Sequence, residues 1–414
     1  MHEATRTFCC RAGFILGALL PTFIVGGWIV VRASPRYASV QEHHWEGTLA
    51  RTLGLFAEIE RVENPRPGEY VLHGVKQIDP DAKRDAGPLL TAKRVHIAER
   101  SSGLVILASD GVLASEQLPR LHGILHERLL RGPEVASAPV QLSLNSLKLG
   151  AHSLTDVRVQ FSSDPKLARS TLEFRLAGST GEPIRLSIER QRGAATSGTK
   201  WSLNTGATPL PCSAISSCLP ALSHFGPDST FHGMCEFTTN DSTFDAAIAG
   251  VFEGVDLEKL VTEQLEPHQL SGTAKLTINE AHWRDGKLAS AAGELRAKNG
   301  TISESLWNAA WQHFQVKLSW ALEHQQSKDF GELALAFALD SQALELSGRC
   351  HEPSVIVADR LGQALIWKSE PGGVAPIALV HALIPESRQN IPYEGRNLLY
   401  LLPGDSPALE ARQP

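Results

Sequence analysis

The sequence predicts a mainly β protein: an N-terminal transmembrane helix followed by an antiparallel β-sheet with a few short helices. Three observations carry this. Ala12 to Val31 is a run of 20 positions without a charged residue, the ~20 residues a helix needs to cross a bilayer. From Val62 onward, apolar and polar residues alternate in short segments broken by turn residues, the period-2 signature of half-buried strands. Helical spacing of apolar residues recurs at only a few places.

The anchor is flanked by Arg6 and Arg11 before it and Arg32 and Arg36 after it, so the positive-inside rule is close to balanced. The short leader, residues 1–11, is easily retained in the cytoplasm while the rest is exported, which sets the expected orientation. The alternative is a cleaved signal peptide, whose apolar region is usually ~7–15 residues, shorter than this one. Pro21 is expected to kink the helix. Cys9 and Cys10 precede the apolar run, which excludes a lipoprotein cleavage site; they would be reduced on the cytoplasmic side, where acylation beside the anchor is an alternative state.

Beyond the anchor, Leu49, Leu53, Phe56 and Ile59 space as an amphipathic helix or a mixed start to the fold. His43, His44 and Glu46 are neighbours there and read as solvated residues. Strands follow at Tyr70–Val75, Leu89–Ile97 and Leu104–Ala108, punctuated by Asp79-Pro80-Asp81 and Asp110-Gly111. Leu118, Leu121, Leu125, Leu129 and Leu130 form a helical stripe. His122 and His126 stand four apart on it, but the text is His-Gly-Ile-Leu-His, without the glutamate of a zinc-protease motif. Alternation resumes through Val140–Leu149, Val157–Phe161, Leu172–Leu176, Ile184–Ile188 and Trp201–Leu203. Residues 208–227, rich in Pro, Ser and Cys, read as a linker loop between an N-terminal β-rich region (32–207) and a C-terminal one (228–414).

In the second region Phe231–Thr239 and Phe244–Phe252 read as strands and Val255–Leu265 as a helix. Leu270 to Ser305 is the most informative stretch: Ala274, Leu276 and Ile278 alternate with polar residues. Asp285-Gly286 follows, then a second strand from Ala292, a tight turn at Asn299-Gly300 and a short helix entered at Ser303-x-x-Leu-Trp and continuing to Trp311. Val316–Leu322, Leu333–Leu339, Leu344–Leu346, Val355–Val357 and Leu365–Trp367 are further strands. Leu379–Ile384 and Leu398–Leu402 are short apolar runs, the latter a final strand or an edge that pairs with a partner.

Cys212, Cys218, Cys235 and Cys350 lie beyond the anchor. Cys212 and Cys218 are near enough to pair, but four cysteines allow three connectivities and the sequence does not choose. No C-x-x-C is present, so zinc is not expected. The formal net charge of −6, evenly spread, gives no attraction to nucleic acid. No G-x-S-x-G, H-E-x-x-H, phosphate-cradling loop or dinucleotide fingerprint occurs. The expectation is therefore a protein that is not an enzyme, with no catalytic residues, no cofactor and no metal.

Leu270-Ser-Gly-Thr-Ala-Lys-Leu-Thr-Ile, followed by Gly293-Glu-Leu-Arg-Ala-Lys-Asn-Gly-Thr-Ile-Ser, resembles the C-terminal region of AsmA-like (AsmA/TamB-type) membrane-anchored envelope proteins. Tyr70–Val75, Asp79-Pro80 and Val95-His-Ile are similar to the family's N-terminal text. The resemblance implies a single-pass inner-membrane anchor with the bulk in the periplasm. The body would be an elongated, strongly curved antiparallel sheet with an apolar groove, and the role envelope maintenance or phospholipid movement. It supplies no catalytic residues. Roughly 20–25 strands at ~4.8 Å would make a sheet on the order of 100 Å long, so a protein partner or a role at the inner membrane alone would complete it. The expected partners are the membrane, phospholipid in the groove and an envelope protein. A scaffold or secretion-system component using the same sheet is the alternative. The helices are too few to cover so many one-faced strands, which independently points to a groove, the other outcome being two filled β-sandwiches.

Overall fold

A computed structural model describes residues 34–53, 56–66, 68–79, 87–100, 103–125, 137–164, 166–192, 198–217, 219–240, 243–368 and 372–383. The expected anchor, His126, Cys218 and Leu398–Leu402 lie outside them. Among the described residues, no helix is long and apolar enough to cross a membrane.

The chain enters through helix α1 (Pro35–Leu53). Strands β1 (Phe56–Glu58) and β2 (Arg61–Arg66) both pair with β3 (Glu69–Ile78). β4 (Leu90–Arg100) and β5 (Gly103–Leu113) continue the meander. After α2 (Leu118–Leu125), β6 (Ser137–Leu149) pairs with β5 in parallel, from Leu104↔Val140 to Leu113↔Leu149. The sheet is therefore mixed, not purely antiparallel as expected. The physical reason is the crossover: parallel neighbours need a long connection, which a segment containing a helix supplies and a tight turn cannot.

β7 (His152–Ser163), β8 (Leu167–Leu176), β9 (Ile184–Gln191) and β10 (Thr199–Asn204) follow as antiparallel neighbours. Residues 208–227 carry β11 (Leu210–Pro211), α3 (Cys212–Ile215) and a 3-10 turn (Pro220–Phe225). The sheet passes this stretch without a break, because β10 pairs directly with β12 (Thr230–Thr239). β13 (Phe244–Asp256), β14 (Thr273–Arg284) and β15 (Lys287–Ser303) form long hairpins. α4 (Glu304–Phe314) and β16 (Lys317–Leu318) come next, then β17 (Ser327–Leu339), β18 (Leu344–Gly348), β19 (Val355–Ala358), β20 (Ala364–Trp367), β21 (Gly373–Val374) and α5 (Ile377–Leu383). All 21 described strands belong to one open, curved sheet.

Several local expectations are corrected. Val255–Leu265 is not a helix: β13 runs to Asp256, and only Glu258–Thr262 winds, as one π turn. Gly254 (φ 71) lets the strand bend there, so that Val255 and Leu257 are fully buried at its end. Val316–Leu322 is two strand residues followed by a 3-10 turn, fixed by Ser319 Oγ accepting from the Ala321 amide. The short apolar run from Leu379, to which the sequence assigns no element, is helical to Leu383 as part of α5, and Ile384 lies outside the described residues.

Asn299-Gly300 is no turn but lies inside the 17-residue β15. Asn299 has φ 54 and Gly300 no positive φ, whereas Asp285 and Gly286 have φ 53 and 75. Two consecutive positive-φ residues reverse the chain into a hairpin; a single one kinks a strand that then continues. Asp110-Gly111 behaves like Asn299-Gly300: Asp110 (φ 53) kinks β5 from within. Gly74 (φ 61) on β3, Asp110 on β5 and Asp156 (φ 52) on β7 fall on one line across the sheet, flanked by the pairs His73↔Arg94, Arg94↔Ser109 and Ser146↔Thr155. Positive φ repeated on alternate strands at one level turns the pleat there and bends the sheet.

Candidate functional site

Directly opposed residues in a sheet project to the same face. Following the register from strand to strand gives an unbroken apolar line: Tyr70, Ile97, Ile106, Leu142, Val159, Leu172, Leu186 and Leu203 on β3 to β10. It continues through Cys235, Ile248, Ala281, Ala291, Leu339, Leu344 and Val374 on β12 to β21. Two residues along each strand, a second line reads Val140, Phe161, Ser170, Ile188, Trp201, Phe237, Ala246 and Trp283. On the other flank, Leu72, Val95, Ala108, Leu144 and Val157 form a third. At ~4.8 Å between strands the first line is roughly 70 Å long. That is shorter than a simple strand count gives, because β1 and β2 share one neighbour, as do β18 and β19, and so widen the sheet rather than lengthen it.

Both ends of this strip are covered. At the start, α1 lays Trp45 against Tyr70 with ring centroids 4.5 Å apart. At the far end, Phe314 of α4 and Ala378 and Leu379 of α5 pack on Leu288, Leu339, Leu344 and Val374. In between, Leu142, Val159, Leu172, Leu186, Ile188, Leu203 and Ile248 are only half-buried. α2 is the described helix that reaches over this middle part. Leu118 and Leu121 pack on the N-terminal core, and the His122 ring lies 4.3 Å from Trp201 on β10. Arg120, two residues earlier, pairs with Asp79 at the end of β3. In a flat sheet β3 and β10 would be roughly 34 Å apart, too far for side chains two residues apart on one helix to reach both. The sheet is thus rolled toward its apolar face.

The opposite face is polar and laced with ion pairs between strands: Arg169–Glu189 at 2.7 Å, Arg185–Glu173 at 2.8 Å, Lys200–Glu236 at 3.0 Å and Lys275–Glu253 at 2.7 Å. Such pairs keep one face solvated and orient the apolar face inward.

The residues weighed for metal or thiol chemistry are held apart. Among the described residues, no group of three or more His, Cys, Asp or Glu gathers where a metal could bind. His43 is exposed on α1, with its Nδ1 2.8 Å from the Ser39 carbonyl. His122 is a packing residue whose pKa burial pushes down. Cys212, Cys235 and Cys350 are free thiols. Burial raises the Cys235 pKa to about 12 and, with the nearby Glu332 charge, the Cys350 pKa to about 11, so these are inert, protonated side chains.

Sequence reading located the apolar parity of each strand but not its continuity, which requires the register. Arg190 occupies the apolar parity of β9 after Ile184, Leu186 and Ile188. Fold and site define a mainly β protein with one large, curved, mixed sheet and a half-covered apolar face. No protein-family model matches the chain, and neither a curated protein nor a solved structure matches it.

Proposed function

We propose that this is a membrane-anchored envelope protein whose β-rich body, on the periplasmic side, binds or guides lipid along the apolar face of its sheet. The observation that carries the reading is the continuous apolar line from Tyr70 to Val374, capped at both ends by helices and half-covered between them. Apolar surface left in water costs about 25 cal/mol per Å². A strip a few side chains wide, half-open over β6 to β10, suits an acyl chain better than a folded domain. The AsmA-like text and the apolar run at residues 12–31 support the same reading. Native mass spectrometry with lipid extraction, on full-length protein transferred from bacterial membranes into amphipol, tests it. Stoichiometric phospholipid is expected, with loss in Leu172→Asp/Leu186→Asp. Folded wild-type protein that carries no lipid would refute it.

One observation favours a scaffold role instead. Trp320 and Leu361 are 81% and 83% exposed, and both sit at one corner. The Ser319 amide donates to the Leu365 carbonyl, which brings Trp320 beside the turn that holds Leu361. A photoreactive residue at position 320 that yields one defined protein adduct in intact cells would support this reading; adducts with lipid alone would exclude it.

A further inference from the structure

α2 differs from the other helices on the apolar face in how it is seated. α1 buries Trp45 and Leu49, α3 buries Cys212 and Ala214, α4 buries Trp307 and α5 buries Ala382. None of the described side chains of α2 is fully buried, and its Leu118 and Leu121 pack on the N-terminal core only in part. The helix is eight residues long and carries Gly123 inside it. Helices shorter than ~12–15 residues are marginal in water on their own, and an interior glycine lowers helix stability further. α2 therefore keeps its form through the surface it rests on.

Arg120 and His122 are two residues apart, so at about 3.6 residues per turn their side chains leave the helix roughly 200° apart. Each takes a different wall of the rolled sheet. Arg120 donates to the Asp79 carboxylate from both Nε and Nη2, the latter at 2.9 Å from Oδ1. The Asp79 side chain is only 7% exposed, and a two-bond fork of this kind is directional as well as strong. On the other side the His122 ring meets Trp201 on β10 at 4.3 Å, tilted by 53°. α2 thus spans the mouth of the roll, from the end of β3 to β10. Between those two strands, in sheet order, lie β6, β8 and β9 with the half-buried Leu142, Leu172 and Leu186.

We propose that α2 is a strap across the mouth of the rolled sheet, which releases as one unit to admit a lipid to the apolar strip and then closes over it. The inference rests on the groove reading above and adds how the groove is entered. A short helix without a fully buried side chain opens locally, ahead of the strands beneath it. Gly123 is the lever, because a Cβ there would meet nothing within 4 Å: alanine strengthens the helix and adds no contact. Arg120→Gln acts in the opposite direction by removing the fork to Asp79. The test uses full-length protein in amphipol with Leu186→Cys as the reporter on the strip. Its reaction with N-cyclohexylmaleimide is followed peptide by peptide in a mass spectrometer, which separates it from the native cysteines. Labelling is expected to be about fivefold slower in Gly123→Ala, the scale of the glycine-to-alanine helix preference. In Arg120→Gln it should be about tenfold faster, the scale of one charge-assisted hydrogen bond. Uptake of tail-deuterated phosphatidylglycerol from vesicles of that lipid should change in the same order, while hydrogen exchange in β9 stays constant.

Labelling that ignores either substitution, or that changes only together with exchange in β9, makes α2 a fixed cover. With lipid still taken up, that overturns the strap while the groove reading stands. Labelling that responds while lipid uptake does not shows that α2 opens without being the way in, and overturns the proposal as well. Absence of any lipid uptake overturns the groove and the strap together. If Arg120→Gln does not fold, Arg120→Lys, which keeps the charge and loses the fork, takes its place. A smaller rise in labelling there supports the strap, and no rise rejects it.

Discussion

The two halves of the sheet share one strand pattern and end differently. In β12 to β20 the apolar face is a filled core: Phe231, Leu257, Phe330 and Leu365 are almost completely buried, beneath α4, the π turn and α3. In β6 to β10 the same alternation leaves Leu142, Leu172, Leu186 and Leu203 half-exposed beneath α2. The strands do not differ in kind. What differs is what lies over them: one half is filled, and the other leaves apolar side chains half-exposed.

Truncating one large apolar side chain in each half breaks the comparison most directly. Phe330 is fully buried and lies across Gly300 on the neighbouring strand. Phe330→Ala is expected to cost about 3–5 kcal/mol, read as a lowered urea midpoint. Leu172→Ala in the open half should cost less than about 1.5 kcal/mol, since little surrounding structure has to collapse. Equal losses would mean that both halves are filled cores.

The glycine beneath the ring is the next lever. A Cβ at Gly300 would lie 2.0 Å from the Ser271 carbonyl oxygen and 2.5 Å from Phe330 Cζ. Gly300→Ala should destabilise the C-terminal half by about 2–4 kcal/mol. Gly123→Ala on α2, where a Cβ would meet nothing within 4 Å, should be neutral or slightly stabilising. Thermal unfolding of the two variants checks both.

Acid provides a gentler comparison. Burial lowers the pKa of His268 in the C-terminal half, partly offset by the backbone of Ala382 in α5, and burial also lowers that of His122 in α2. A histidine depressed in the native state binds fewer protons than in the unfolded chain. Its contribution is therefore fully present above the unfolded value near 6.5 and is lost as pH falls below it. Hydrogen exchange at about pH 5.5 and 7.5 should show α5 and α2 loosening at the lower pH. His268→Leu should remove the effect at α5 only, and His122→Leu at α2 only. Loosening of both helices in either variant would mean that they are coupled through the sheet. The smallest effect belongs to the polar face: Arg169→Ala, breaking an exposed pair with Glu189, should cost less than about 1 kcal/mol and vanish at high salt.

Much of this fold is legible in the chain, and specific residues show where legibility stops. Leu333, Leu335 and Phe337 announce β17, and Asp285-Gly286 announces the hairpin between β14 and β15. Asn299-Gly300 carries the same dipeptide signal and yet stays within a strand, because neighbours on both sides, β14 and β17, hold β15 in place through the kink. Arg190 stands in phase with Ile184, Leu186 and Ile188. Its relation to Ser163 and Thr199 depends on which strands lie beside β9.

The sequence by itself determined most of the strands, their apolar parity and the helices at α2 and α4. These follow from the backbone pleat and helical pitch, which act within a few residues. The tertiary structure alone decided that β5 and β6 run parallel, that the apolar residues join into one line, and that, among the described residues, helices cover its ends and α2 only part of its middle. Those outcomes depend on pairings between residues far apart in the chain, whose geometry no local period encodes.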